Sequence, residues 1–158
     1  MDLNELHVAA RNGFTESIKL CLERGDDVNV ADIDGKTPLH EAVRHGHIKI
    51  AEFLLKNGAN VNVTGEYFLT PLHATAIQGY IKIAELLLKN GANVNVGDEI
   101  NGSAPLHEAA IHGHIKIAEL LIKNGADVHV ANEYGETPLY FAIREGFTEI
   151  AELLKKKG

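Results

Sequence analysis

The chain has one cysteine, Cys21, so no disulfide can close within it, and nothing in its 158 residues calls for an oxidising compartment. Long hydrophobic runs are also missing. The longest span only a few residues, such as Leu86 to Leu88, where a membrane-spanning helix needs roughly 20 apolar residues. Basic charge is scarce: 15 Lys and Arg face 22 Asp and Glu, for a net charge of −7. That balance argues against the broad basic surface a nucleic-acid binder lays over phosphates, and the short run Lys155-Lys156-Lys157 reads as a solvated terminus. The first residues, Met1-Asp2-Leu3-Asn4-Glu5, carry acids where a secretory signal carries bases, so no export signal is expected. No Gly-Xaa-Ser-Xaa-Gly elbow occurs, and no Gly-rich phosphate loop opens a helix after a strand. What remains, at 45% hydrophobic and 23% charged, is the composition of an ordinary globular domain.

Against that plain background one feature recurs. Thr37-Pro38-Leu39-His40 returns as Thr70-Pro71-Leu72-His73, as Ala104-Pro105-Leu106-His107 and as Thr137-Pro138-Leu139-Tyr140, at spacings of 33, 34 and 33. One period before Thr37 lies a degenerate copy, Asn4-Glu5-Leu6-His7. A second string follows in the inner units: Gly46-His47-Ile48-Lys49-Ile50-Ala51-Glu52, with counterparts beginning at Gly79 and Gly113. A third closes them: Asn57-Gly58-Ala59-Asn60-Val61-Asn62, with counterparts at Asn90 and Asn124. A fixed period of this length is the mark of a stacked repeat.

One unit can be read residue by residue. Thr37 is a good N-cap, and Pro38 sits at the first helical position, where its missing N–H costs nothing. A short helix is predicted to about His45, stopped by Gly46 in the left-handed conformation. A second helix begins near Ile48. Lys49, Glu52 and Lys56 share one narrow stripe, and Ile48, Ile50, Ala51, Phe53, Leu54 and Leu55 fill the rest, so burial on most sides is expected. Gly58 ends it, and an extended loop through Val61 and Val63 leads onward. A unit this small cannot cover its own apolar faces, and only stacked neighbours can do so.

These motifs, in register along the whole chain, resemble ankyrin repeats. The resemblance implies an all-α solenoid of five helix-turn-helix units with projecting β-hairpin-like loop fingers. Residues 1–158 are expected to form a single domain, with repeats at about 1–33, 34–66, 67–100, 101–133 and 134–158. The first and last units are expected to act as caps. Phe14-Thr15-Glu16 and Phe147-Thr148-Glu149 replace the inner His-Ile-Lys or Tyr-Ile-Lys, Ser17 replaces an inner Ile, and Lys155 stands where Leu55, Leu88 and Ile122 stand. From this a self-contained domain is expected. In such proteins the fingers and first helices line a concave binding face. The repeated His supports the loops by hydrogen bonds, including to the capping Thr, and the loop Asn (here Asn29, Asn62 and Asn95) is structural.

Of the residues able to carry chemistry, the histidines come first. His45-Gly46-His47 and His112-Gly113-His114 have chelate-like spacing, but they lie two units apart with no third ligand, and recurrence once per unit explains them. Cys21 aligns with Leu54, Leu87 and Leu121 and reads as a small apolar filler. No catalytic residue, metal ligand or cofactor is assigned, and the chain is read as a non-enzyme.

A repeat carries its own control, because slots set by the fold stay constant and slots free of it vary. Exposed apolar residues gather in the central units, and such surface marks contact sites. The candidate partner-binding residues are Ile33, Asp34, Arg44, Glu66, Tyr67, Phe68, Leu69, Ile77, Glu99, Ile100, Ile111 and Tyr134. Phe68 fills the turn slot of Gly35, Gly102 and Gly135, where positive φ would strain it, so the turn is expected to be rebuilt around Gly65. The fourth finger has one extra residue within Asp98 to Gly102. The fingers carry Asp32, Asp34, Glu66, Asp98, Glu99, Glu133 and Glu136, with Lys36 the only base. The reading is therefore a protein-interaction module whose partner offers basic and apolar contacts, with no nucleic acid and no membrane. A monomer in the cytoplasm is expected, with the nucleus or a host cytosol also open. Alternatives are an inhibitor or regulatory subunit that occludes an enzyme, an artificial repeat scaffold and, with least support, a small-molecule or metal enzyme.

Overall fold

A computed structural model describes residues 4–158, the side chain of Phe68 excepted. Ten α-helices run in order: α1 (Glu5–Asn12), α2 (Thr15–Glu23), α3 (Pro38–Arg44), α4 (Ile48–Lys56), α5 (Pro71–Gln78), α6 (Ile81–Lys89), α7 (Pro105–His112), α8 (Ile115–Lys123), α9 (Pro138–Arg144) and α10 (Thr148–Lys157). A 3-10 turn, Glu66–Phe68, precedes α5. Odd-numbered helices pack on one another in one layer. In a second layer α4, α6, α8 and α10 do the same, and each pair is joined as a hairpin. The core runs unbroken through all pairs. Leu6, Leu39, Leu72 and Leu106 are fully buried or nearly so, as are Cys21, Leu54, Leu87 and Leu121. Cys21 thus packs as its aligned leucines do, and burial pushes its thiol pKa up.

The helix boundaries follow the expected chemistry. Proline opens α3, α5, α7 and α9, and Gly46 takes φ of 75° after α3, a conformation that costs glycine little. The caps combine the threonine hydroxyl with the repeated histidine. The backbone N–H of Thr37 donates to His40 Nδ1 at 3.0 Å, and those of Thr70 and Ala104 donate to His73 and His107 at 3.2 and 2.9 Å. The Thr70 and Thr137 hydroxyls accept from the His73 and Tyr140 N–H groups at 3.4 and 3.3 Å, while Ala104 keeps the imidazole bond alone.

With Nδ1 accepting, the proton must sit on Nε2, which donates to a carbonyl of the next finger. His40 reaches Leu69 at 3.2 Å, His73 reaches Ser103 at 3.0 Å and His107 reaches Glu136 at 3.0 Å. His7 makes the same reach to Lys36 at 2.8 Å, so the degenerate first copy keeps its clasp. On the opposite side the loop asparagines join units in the same way. Asn62 Nδ2 donates to Gly91 O at 3.1 Å while its Oδ1 accepts from the Asn93 N–H at 2.8 Å, and Asn29 and Asn95 repeat the pattern.

Three details differ from the sequence reading. The fingers are not β ladders: among the described residues no strand forms, and the fingers close through turn bonds, as from Asp32 N–H to Lys36 O at 2.9 Å and Gly35 N–H to Asp32 O at 3.0 Å. An Asx side chain takes the turn's other N–H groups; Asp32 Oδ1 accepts from Asp34 and Lys36, both at 2.9 Å. The second helices are less enclosed than expected. In α4 only Ile50, Ala51 and Leu54 are buried, while Phe53 and Leu55 are half-buried and Ile48 is exposed, because α4 has an open convex side. The end units are also less polar than Ser17 and Lys155 suggest: Leu20 is 65% exposed and Ile143 58%. Ile143 fills the slot of the fully buried Val43, Ala76 and Ala110.

Candidate functional site

The odd-numbered helices and the fingers form one wall of the solenoid, and its regularity breaks between α3 and α5. The slot that holds Asp32, Asp98 or Asn132 in the other fingers is Gly65, which has no side chain to organise a turn. The chain turns instead through the 3-10 segment, closed by Gly65 N–H to Leu69 O at 3.1 Å and Leu69 N–H to Glu66 O at 3.3 Å. A Cβ at 65 would also crowd the His40 ring, 3.1 Å from its Nε2. The expectation of a rebuilt turn holds, but the left-handed residue is Tyr67, at φ 58° and ψ 28°, and not Phe68. The closing bond spans as many residues as that from Asp32 to Lys36, but the positive φ falls one residue earlier. The strained backbone is held from the neighbouring finger, where the Glu99 N–H donates to Tyr67 O at 3.0 Å.

Beside this turn lies an open cavity of about 280 Å³. Leu69, Ala74 and Ile77 supply its apolar lining, with Tyr67, Thr70 and Gln78 beside them. Lys36, His40, Glu41, Arg44 and Glu66 complete the wall. Lys36 Nζ pairs with Glu66 at 2.6 Å and with Asp34 at 3.3 Å. The Glu66 hydrogen bond raises the lysine pKa, and Lys36 in return lowers that of Glu66. Glu41 is almost fully buried. Burial pushes its pKa up, but the hydrogen bond and charge of Arg11, at 2.8 Å, outweigh this and hold the carboxyl below its usual range.

Of the residues singled out in the sequence, Arg44, Glu66, Tyr67, Leu69 and Ile77 come together around this cavity. Ile33, Ile100 and Tyr134 stand at the tips of their fingers, 89%, 59% and 74% exposed. Asp34 and Glu99 are exposed beside them. Ile111 is half-buried and packs against the core, whereas Ile77 lines the cavity. Phe68 has its backbone in the 3-10 turn, and its side chain lies outside the described residues. Several finger acids are already engaged: Asp98 Oδ1 accepts from Ile100, Asn101 and Gly102 at 3.0 to 3.1 Å, wrapping the extra residue, and Glu136 accepts from Asn132 Nδ2 at 3.0 Å. The sequence reading left Lys36, Glu41, Ala74 and Gln78 out of the site, although the Arg11–Glu41 bridge has a signal, since the two slots face each other in adjacent units.

The paired histidines stack, with ring centroids 6.4 Å apart for His45 and His47 and 6.3 Å for His112 and His114. Three of them turn a nitrogen to backbone: His47 to Arg11 O at 3.0 Å, His114 to Ile77 O at 3.1 Å and His45 to Glu41 O at 2.9 Å. Among the described residues no group of three or more His, Cys, Asp or Glu is placed to hold a metal, and no helix is long and apolar enough to cross a membrane.

Comparison with known proteins agrees with this architecture. A family model described as "Ankyrin repeats (3 copies)" matches residues 2–65 and 72–158, and another, "Ankyrin repeats (many copies)", matches residues 46–88. Among curated proteins, the chain is similar to protein phosphatase 1 regulatory subunit 12A. The identity is 59% over 34 residues in Mus musculus and in Rattus norvegicus, and 58% over 33 residues in Homo sapiens. These segments cover 22%, 22% and 21% of this chain but only 3% of each relative's length. From the repeated clasp, the stacked hairpins and the matched family models, the chain belongs to the ankyrin repeat family.

Proposed function

We propose that this chain binds another protein on its concave wall, with the partner's main contact over the cavity between α3 and α5. The observation that carries this is the coincidence, at one place, of an apolar-lined cavity and the single non-glycine left-handed residue among those described, Tyr67. The finger turns at Gly35, Gly102 and Gly135 each use a left-handed glycine, and here an exposed aromatic takes that conformation instead, beside the cavity. Tyr67, 55% exposed, together with Ile77 supplies an apolar anchor. Glu99 and Glu133, exposed on the adjoining fingers, add negative charge that favours basic residues on the partner. The chain acts as a monomeric domain spanning residues 1–158 and works inside the cell, a reading supported by its lone buried cysteine.

The test is capture of binding proteins by the wild type and by a Tyr67→Ala, Ile77→Ser double variant of equal stability. Loss of a specific partner supports the cavity, and retention of every captured partner refutes it. A second reading has one observation in its favour: the matched segments belong to a protein named as a phosphatase regulatory subunit. In that reading the captured partner is an enzyme and this chain covers or directs it. Assay of the partner's activity with and without the chain separates the two, because a pure scaffold leaves the rate unchanged.

A further inference from the structure

The first helices carry an internal standard for charge pairing. Arg11, in the first unit, reaches across to Glu41 in the second at 2.8 Å, and the glutamate is only 2% exposed. The arginine slot reads Arg11, Arg44, Ile77, Ile111 and Arg144 along the chain, and the glutamate slot reads Val8, Glu41, Ala74, Glu108 and Phe141. Two units on, therefore, the same glutamate recurs without its arginine. Glu108 has a side chain 13% exposed, and the slot that should supply its base holds Ile77. Among the described residues its carboxylate makes no side-chain hydrogen bond, and the nearest base is His112 Nε2 at 3.6 Å, on its own helix.

That histidine is a poor partner, since burial and the neighbouring His114 hold its pKa below the ordinary range. Asp98, in the fourth finger, adds like charge, and Arg144 on α9 is occupied with Glu145 at 2.7 Å. Burial, with Asp98, pushes the pKa of Glu108 up to about 7. An unpaired carboxyl set this deep in a binding wall is costly to keep in a fold that elsewhere supplies an arginine for the same position.

We infer that Glu108 receives a lysine or arginine side chain from the protein partner, which takes at Glu108 the place Arg11 takes at Glu41. This rests on the concave-wall reading above and adds its chemistry: an apolar anchor at Tyr67 and Ile77, and a base presented to Glu108, with Ile77 common to both. The stem of the incoming base lies against Ile77, and its head replaces the water lost by the carboxylate.

The experiment uses displayed random peptides selected on the full chain at pH 8. Recovered peptides are titrated against wild type, Glu108→Gln and the Tyr67→Ala, Ile77→Ser double variant. Peptides dependent on Tyr67 and Ile77 are expected to share a Lys or Arg at a fixed distance from an apolar residue. Replacing that base with norleucine weakens binding to the wild type about tenfold or more, and has little further effect on Glu108→Gln, a coupling read by the double-mutant cycle. Equal loss on both proteins, or cavity-dependent peptides with no shared base, overturns the role of Glu108 while leaving the cavity standing. Peptides indifferent to Tyr67 and Ile77, or no peptides at all, overturn both.

Discussion

At single positions the strongest constraints are polar groups buried with, or without, their partners. His73 is fully buried and joins the Thr70 N–H to the Ser103 carbonyl. Replacing it with Ala strands both groups and is expected to lower unfolding free energy by about 3 kcal/mol, as measured by urea titration. Burial also lowers the pKa of His73, as it does for His40 and His107. Their contribution is therefore full above the unfolded histidine value and is lost as pH falls from there towards the folded value. Glu108 works in the opposite sense. Its raised pKa favours the folded state below the ordinary carboxyl value of 4.5, and that contribution is lost as pH rises through about 7. Glu108→Gln should thus match wild type near pH 4.5 and exceed it at pH 8 by up to about 3 kcal/mol in urea titrations. An unchanged difference across that range would show that the carboxyl is not desolvated. Tyr67 offers a third test. Glycine relieves the left-handed strain but loosens the unfolded chain, so Tyr67→Gly should shift stability by no more than about 1 kcal/mol either way. Binding of the partner should nevertheless fall, which separates contact from folding.

At the level of helices and fingers, stability depends on bonds that cross from one unit to the next. Asn62 holds Gly91 and Asn93 with both ends of its amide, although the loop is exposed. Asn62→Ala is expected to cost about 1 kcal/mol and to speed amide exchange in the loop around Asn93, leaving the loops held by Asn29 and Asn95 protected. The helix starts and stops were readable from Pro38, Pro71, Pro105 and Pro138 with the glycines that follow, because both residue types act through their own backbone. The third finger was readable only in part. The missing glycine at Phe68 announced a rebuilt turn, but not that positive φ falls at Tyr67, whose carbonyl is held by the Glu99 N–H of the next finger, thirty-two positions away in sequence.

Across the stack an inner core leucine packs between two neighbouring units and one in α10 against one, so the cost of removing a leucine depends on where it lies. Leu87→Ala, flanked by helices on both sides, should cost about 3–5 kcal/mol, and Leu154→Ala in α10 less, with both read as shifts in the urea midpoint. Equal losses would mean that the end unit is as tightly held as the centre. The repeat period, the helix pairs and the buried Leu and Cys21 slots all follow from the order of residues, since each is local or recurs at one spacing, while the structural role of the loop Asn is what the family resemblance implies. Which variable slots meet does not follow. Arg44, Glu66, Tyr67, Leu69 and Ile77 surround one cavity, while Ile100 and Tyr134 stay at separate finger tips and Ile111 turns to the core. The isolation of Glu108 likewise appears only when units are laid side by side, because a charge's partner is set by distance across the stack and not by distance along the chain.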